Sequence, residues 1–227
     1  MNQEMWTPLI LSLEFALLGL ALAIAIGLPL ATALALGRWR GRDLVEVAVT
    51  APLILPPTVL GYYLLVAIGR GSALGRGWEE LTGSSLVFTP TGCVVAAALA
   101  ALPFVVKSAR SAMEEVDHGL LAAAATLGAG PWLRFWTVLV PLARRGIAGG
   151  CILGFAKALG DFGVTLMVAG NIPGLTQTAP LAIYDAMLGG HEGRAAGLAM
   201  LLTAIGITML WLVNRWVRPQ RQREAAT

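Results

Sequence analysis

LLAAAATLGAGPWLRFWTVLVPLARR, residues 120–145, is the stretch whose reading decides the fold. It is apolar enough for a bilayer, yet it carries Gly128, Gly130, Pro131, Pro141 and the arginines Arg134, Arg144 and Arg145. It is either a damaged transmembrane helix or a cytoplasmic segment whose oily face meets a partner. Two crossings within residues 107–146 would need about 40 apolar residues and a turn. Glu114, Glu115, Asp117 and the three arginines exclude that. A single crossing would invert everything downstream.

The rest of the chain sets which inversion is allowed. Hydrophobic residues make up 57% and charged residues 13% of the 227, with a mean hydropathy of +0.74. Soluble domains carry about 25% charge, so lipid is the solvent for much of this surface. A span needs roughly 20 apolar residues. Five stretches qualify, over residues 8–37, 44–69, 86–106, 147–169 and 195–217. The first is too long, and lacks the preceding basic residues, for a cleavable signal peptide.

Basic residues then orient the spans. Arg38, Arg40 and Arg42 follow the first. Lys107, Arg110, Arg134, Arg144 and Arg145 lie between the third and fourth, and Arg215, Arg218, Arg221 and Arg223 end the chain. The other side holds only Arg70, Arg76 and Arg194. The larger group belongs in the cytoplasm. The N-terminus is therefore outside, the C-terminus inside, and residues 107–146 form a cytoplasmic loop. The net charge of +3 and the pI near 9.2 reflect this bias and not nucleic-acid binding. Cys93 and Cys151 fall within spans as small apolar packers. With only His118 and His191 and no Cys/His cluster, a zinc site is not expected.

The cytoplasmic stretch then reads as helix, break, helix. Asp117 is an N-cap for the alanine run, Gly128 a C-terminal stop, and Pro131 the first turn of a second helix ending at Pro141. A bare cytosolic helix of this composition needs a cover. The membrane surface, the protein's own helix ends or a groove on a soluble partner would each serve.

Within the spans, Pro52, Pro56 and Pro57 predict a kinked second span. Gly146, Gly150, Gly154 and Ala158 share a face that allows close helix approach, within one subunit or across a dimer. Lys157 sits about 18 Å along a helix from Arg145, with Asp161 four residues on. Intramembrane charges face a partner or a cavity. The pair is either a structural ion pair fixing the fourth span or a group lining an anion path. Thr165, Asn171, Thr176 and Thr178 offer neutral donors near the outer mouth, where residues 171–184 form either a short re-entrant helix or an ordinary loop.

The loop pattern resembles that of bacterial ABC-importer permeases: E-A-A, three residues, Gly, nine residues, I, one residue, L-P. Here it reads Ala122, Ala123, Ala124, then Gly128, then Val138, Val140 and Pro141. The Gly and Pro spacing is kept, while Ala122 stands in place of the glutamate. PLILPPTVLGYYLLVAIGRGSALG (52–75), ALGDFGVTLMVAGNIPG (158–174) and TQTAPLAIYDAM (176–187) resemble the molybdate branch of that family rather than the sulfate one. Asp161 stands where the family usually has glutamate.

The resemblance implies an all-α permease of about five transmembrane helices in the bacterial inner membrane. It would form a homodimer with one path at the subunit interface. Cytoplasmic ATPases would dock on the loop, and a periplasmic protein would deliver the oxyanion. Glu114, Glu115 and Asp117 would then either contact the ATPase or form a solvated acidic cluster. Pro56, Pro57, Lys157, Asp161, Thr165 and Asn171 would line the path or hold its helices. No phosphate loop of the GxxxxGK[ST] kind occurs. No cofactor is therefore expected on this chain, and ATP and magnesium would belong to the partner. Competing readings are a sulfate or thiosulfate permease, a stand-alone secondary anion transporter and an intramembrane enzyme; the last has no second aspartate near Asp161 and no GxSxG.

Overall fold

The computed structural model describes residues 3–37 and 39–217, and every regular element in them is helical. Arg38, Arg218, Arg221 and Arg223, used above for orientation, lie outside the described residues. Four helices are long and apolar enough to cross a membrane: Met5–Leu36, Pro90–Glu114, Pro131–Leu159 and Glu192–Leu212. A bent pair adds a fifth. The chain is a multi-pass membrane protein.

Helix α5 (Pro90–Glu114) is the centre. Thr89 caps it, accepting from the Gly92 N–H, and Pro90 takes the first turn, where a missing N–H costs nothing. Helix α1 (Gln3–Leu36) packs along one side of α5, and α8 (Val140–Leu159) along another. α11 (Glu192–Val217) leans on α8. Alanines fill the seams of α5, with Ala96, Ala101 and Ala109 fully buried. Lipid tails are as apolar as these side chains, so close fit and not water exclusion holds the helices together. The glycine stripe of α8 serves that fit within one chain. A Cβ on Gly150 would sit 2.6 Å from Ser108 Cβ and 2.9 Å from the Phe104 carbonyl, and one on Gly146 would overlap Ala112.

The second span is not kinked but broken, which corrects the sequence reading. Helix α2 (Arg42–Thr50) and a 3₁₀ turn (Ala51–Leu53) meet α3 (Pro57–Ile68) at 119°. The cause is Pro56 followed by Pro57. A residue preceding proline is pushed out of the α region, and Pro56 adopts φ −55° and ψ 138°. α2 is amphipathic and is tied to the end of α5 by charge: Arg42 pairs with Glu114 at 3.0 Å, and Arg110 pairs with Glu46 and with Glu114. α3 has only 12 residues, about 18 Å. Between the second and third spans, residues 70–85 contain α4 (Ala73–Thr82), capped by Ser72 Oγ on the Gly75 N–H.

The fourth span also departs from its expected limits. α6 (His118–Thr126) leads to α7 (Pro131–Arg134), a π turn (Phe135–Leu139) and α8, and the last three run on as one helix. Pro141 does not end it, contrary to expectation. Proline lacks the N–H and crowds the carbonyl four residues back. The wider turn absorbs the disruption just before it, with the Val140 N–H reaching back to the Phe135 carbonyl. Trp132, Phe135 and Trp136 contact one another there, as suits rings at a bilayer boundary. At the other end α8 stops at Leu159, and the chain restarts as α9 (Gly163–Ala169). α10 (Ala179–Leu188) follows and packs on α11 and α1, with the Ala179 N–H donating to the buried Ser12 Oγ at 2.7 Å. The short-helix reading of the outer stretch thus describes α10, which starts eight residues later and ends four residues later than expected.

Candidate functional site

Three features are candidates for the functional site: the short helix α6, a pair of juxtaposed breaks and an open groove between α5 and α8.

Asp117 caps α6, accepting from the Gly119 N–H at 2.7 Å. Gly128, at φ +84°, ends it in the left-handed conformation that glycine adopts without strain. The Gly128 and Ala129 N–H groups close the last turn on the Ala125 and Ala124 carbonyls. Leu121 and Ala124 turn partly inward, whereas Ala122, Ala123 and Ala125 are exposed and Leu127 is 88% exposed. An apolar helix thus stands uncovered at the end of the molecule. Glu115 is exposed beside it. Glu114 is not a free acidic contact, because Arg42 and Arg110 hold it within the chain.

The breaks lie against each other. A Cβ on Gly163, at the start of α9, would sit 2.7 Å from Pro57 Cβ at the start of α3. The broken second span and the broken fourth span therefore cross where both are discontinuous. α9 is also packed on α5. Pro56 and Pro57 stay exposed at this crossing.

Asp161 sits in the second break, only 4% exposed. The expected ion pair with Lys157 is not formed. Their i,i+4 relation needs an unbroken helix, and α8 has already ended at Leu159. Asp161 Oδ2 instead accepts from the Thr165 N–H at 2.9 Å and the Thr165 hydroxyl at 2.8 Å. It caps α9, and Thr165 is equally buried. The legible signal was an acidic residue between Gly160 and a new helical run, which reads as a cap as readily as a partner for lysine. Asp161→Ala leaves two buried donors unpaired. It is expected to cost about 1–3 kcal/mol, seen as a lowered thermal midpoint of the purified protein, with Asp161→Asn recovering at least half of the loss. Lys157 is exposed. Ion pairs form between Arg42 and Glu114, Arg70 and Glu79, Arg110 and Glu46, and Arg110 and Glu114, and Lys157 is in none of these. Asn171 lies half-buried in the outer turn after α9.

The groove went unrecognised in the sequence. It encloses 840 Å³ between the lower halves of α5 and α8 and the start of α6, and Lys107, Ser108, Ser111, Arg145, Gly149 and Leu153 line it. α1 packs on a different face of α5, through Val106, Ala109 and Met113. No single run of sequence carries the groove, because its two walls come from helices about forty residues apart.

With this geometry in place, the comparisons with known proteins place the chain. The family described as binding-protein-dependent transport system inner membrane component matches residues 19–222. The chain belongs to this family. As a permease-family chain it is 38% identical over 220 residues to the molybdenum transport system permease protein ModB of Escherichia coli K12, spanning 96% of each. It is 47% identical over 148 residues to ModB of Azotobacter vinelandii, 65% of this chain and 66% of that one. A chloroplastic sulfate permease of Chlamydomonas reinhardtii is 34% identical over 175 residues, 77% of this chain and 47% of the other. Among solved structures, an inward-facing MetNI methionine ABC transporter chain superposes with a TM-score of 0.70 at 18% identity, over 96% of this chain and 98% of that one. At that identity the likeness is one of fold. The permease has the all-helical architecture of ABC-importer membrane subunits.

Proposed function

We propose that this chain is the membrane permease subunit of an ATP-driven importer for molybdate or tungstate in a bacterial inner membrane. The observation that carries the reading is the end-to-end similarity to a molybdenum permease, 38% over 96% of both chains. Two copies form the path between them. A periplasmic binding protein delivers the oxyanion, and cytoplasmic ATPases, which hold the ATP and magnesium, dock on α6.

Physical chemistry supports the division of labour. α6 is a capped, uncovered apolar helix, the form of an element that fills a groove on a partner. The helix Pro131–Leu159 joins the end of α6 to the break at Asp161 without interruption. Displacement of α6 is therefore delivered to the crossing of α3 and α9, whose packed breaks offer two discrete arrangements.

Molybdate uptake by source cells lacking other importers tests the reading. Deleting this chain is expected to abolish uptake, and restoring it to recover uptake. Intact molybdate uptake after deletion would sink the assignment. Loss of sulfate uptake alone would move it to the sulfate branch, which the chloroplastic relative represents.

A further inference from the structure

We infer that the open α5–α8 groove of each copy lines the cytoplasmic half of the oxyanion path the two copies share, with Lys157 as the cation that receives the anion at depth. The inference rests on the permease reading above and adds the residues and the direction of travel.

Lys157 is the starting point. It is exposed, engaged in no ion pair among the described residues, and about 18 Å along the helix from Arg145. An ammonium at that depth is not tolerated against lipid and must face water or protein. Helix geometry fixes which way it points. Gly146 and Gly150 line the groove, and Lys157, eleven and seven residues further on, lies within about 20° of both around the helix axis. The face that is open below is thus the face on which Lys157 lies above.

The opposite wall contributes a second cation at an intermediate height. Gly150 of α8 packs against Ser108 of α5, so the neighbouring Lys107 lies near the level of Gly150. Going outward, Arg145, Lys107 and Lys157 are staggered along about 18 Å. Ser108 and Ser111 place hydroxyl donors between them. Gly149 leaves the floor without a side chain. Among the residues that line the groove, acidic groups occur only at its cytoplasmic mouth. Glu115 is exposed there, and Asp117 is committed to capping α6. Beyond Lys157, Asp161 is buried and turned onto Thr165.

A row of cations in a low-dielectric wall lowers the cost of bringing a dianion through the membrane. Three charges spaced along the path, no two of them at one level, hold it weakly enough to release it. Positive-inside bias accounts for Lys107 and Arg145 alone, but not for Lys157 on the same face at depth.

Two measurements test this. In cells whose only copy of the chain carries Lys157→Gln, molybdate uptake is expected to fall about tenfold or more at equal membrane abundance. Lys157→Arg should stay within about threefold of wild type. Uptake by Lys157→Gln equal to wild type overturns the inference. Should that variant not accumulate, the second measurement decides. Leu153→Cys, with Cys93 and Cys151 replaced by alanine, is labelled in inside-out membrane vesicles with an anionic and a cationic thiol reagent of equal size. The anionic reagent is expected to react about tenfold faster than the cationic one, relative to their ratio at an exposed cysteine on α6. A ratio near one, or no labelling, overturns the inference. If wild-type cells take up sulfate but not molybdate, the molybdate reading fails. The groove inference then stands or falls on whether Lys157→Gln removes the sulfate uptake.

Discussion

Replacing Gly150 by leucine is expected to remove the protein from the membrane almost entirely. A Cβ alone at this position meets Ser108 Cβ at 2.6 Å and the Phe104 carbonyl oxygen at 2.9 Å. The first obstacle is a short side chain on a helix and the second is backbone, so neither can swing aside. Overpacking a well-fitted core costs about 1–3 kcal/mol, and displacing a whole helix to make room puts this change at the upper end or beyond. In lipid nothing compensates, because helix association there depends on close fit. Immunoblots of membranes should show less than about a tenth of wild-type protein. Gly150→Ala combined with Ser108→Gly relieves part of the clash and should restore part of the abundance. Gly150→Leu accumulating and melting like wild type would show that α5 and α8 do not depend on this seam.

The second large effect concerns coupling and leaves the fold alone. Ala123 on α6 and Leu127 at its C-terminal cap are both exposed. Changing both to aspartate costs the isolated helix only about 0.5–1 kcal/mol in propensity, so membrane abundance should hold. Two carboxylates buried in an apolar groove on a partner would cost several kcal/mol. Capture of the ATPase by affinity-tagged permease should fall about tenfold or more, and uptake should drop to background. Undiminished capture would mean that α6 is covered by something else, such as the membrane surface.

Much of this architecture could be read from residues one at a time. Asp117 as cap, Gly128 as stop and Pro131 as first turn are local devices, and each acts in the structure as its chemistry dictates. The long apolar helices follow from composition. What failed was any reading that assumed a helix continues when its hydropathy does. Pro56 before Pro57 turns the chain by 119° instead of kinking it, because the extended conformation of the first proline is a steric demand that apolarity cannot override. Pro141, conversely, was given too much power. A π turn needs no special residue, so sequence cannot announce it. Asp161 and Lys157 were paired by counting along a helix that had already ended. The groove escaped notice because its cations reach one face only after α5 and α8 have packed through Ser108 and Gly150.

The wide turn at Phe135–Leu139 has one consequence of its own. It inserts an extra residue into an otherwise regular rod of 29 residues, about 43 Å long. One residue is worth about 100° of rotation in an α-helix. The turn therefore sets the angular phase between the foot of the rod, next to α6, and Lys157 higher up. It works like the key on a crankshaft: the same push on the foot would aim Lys157 at a different neighbour if that single residue were taken up elsewhere.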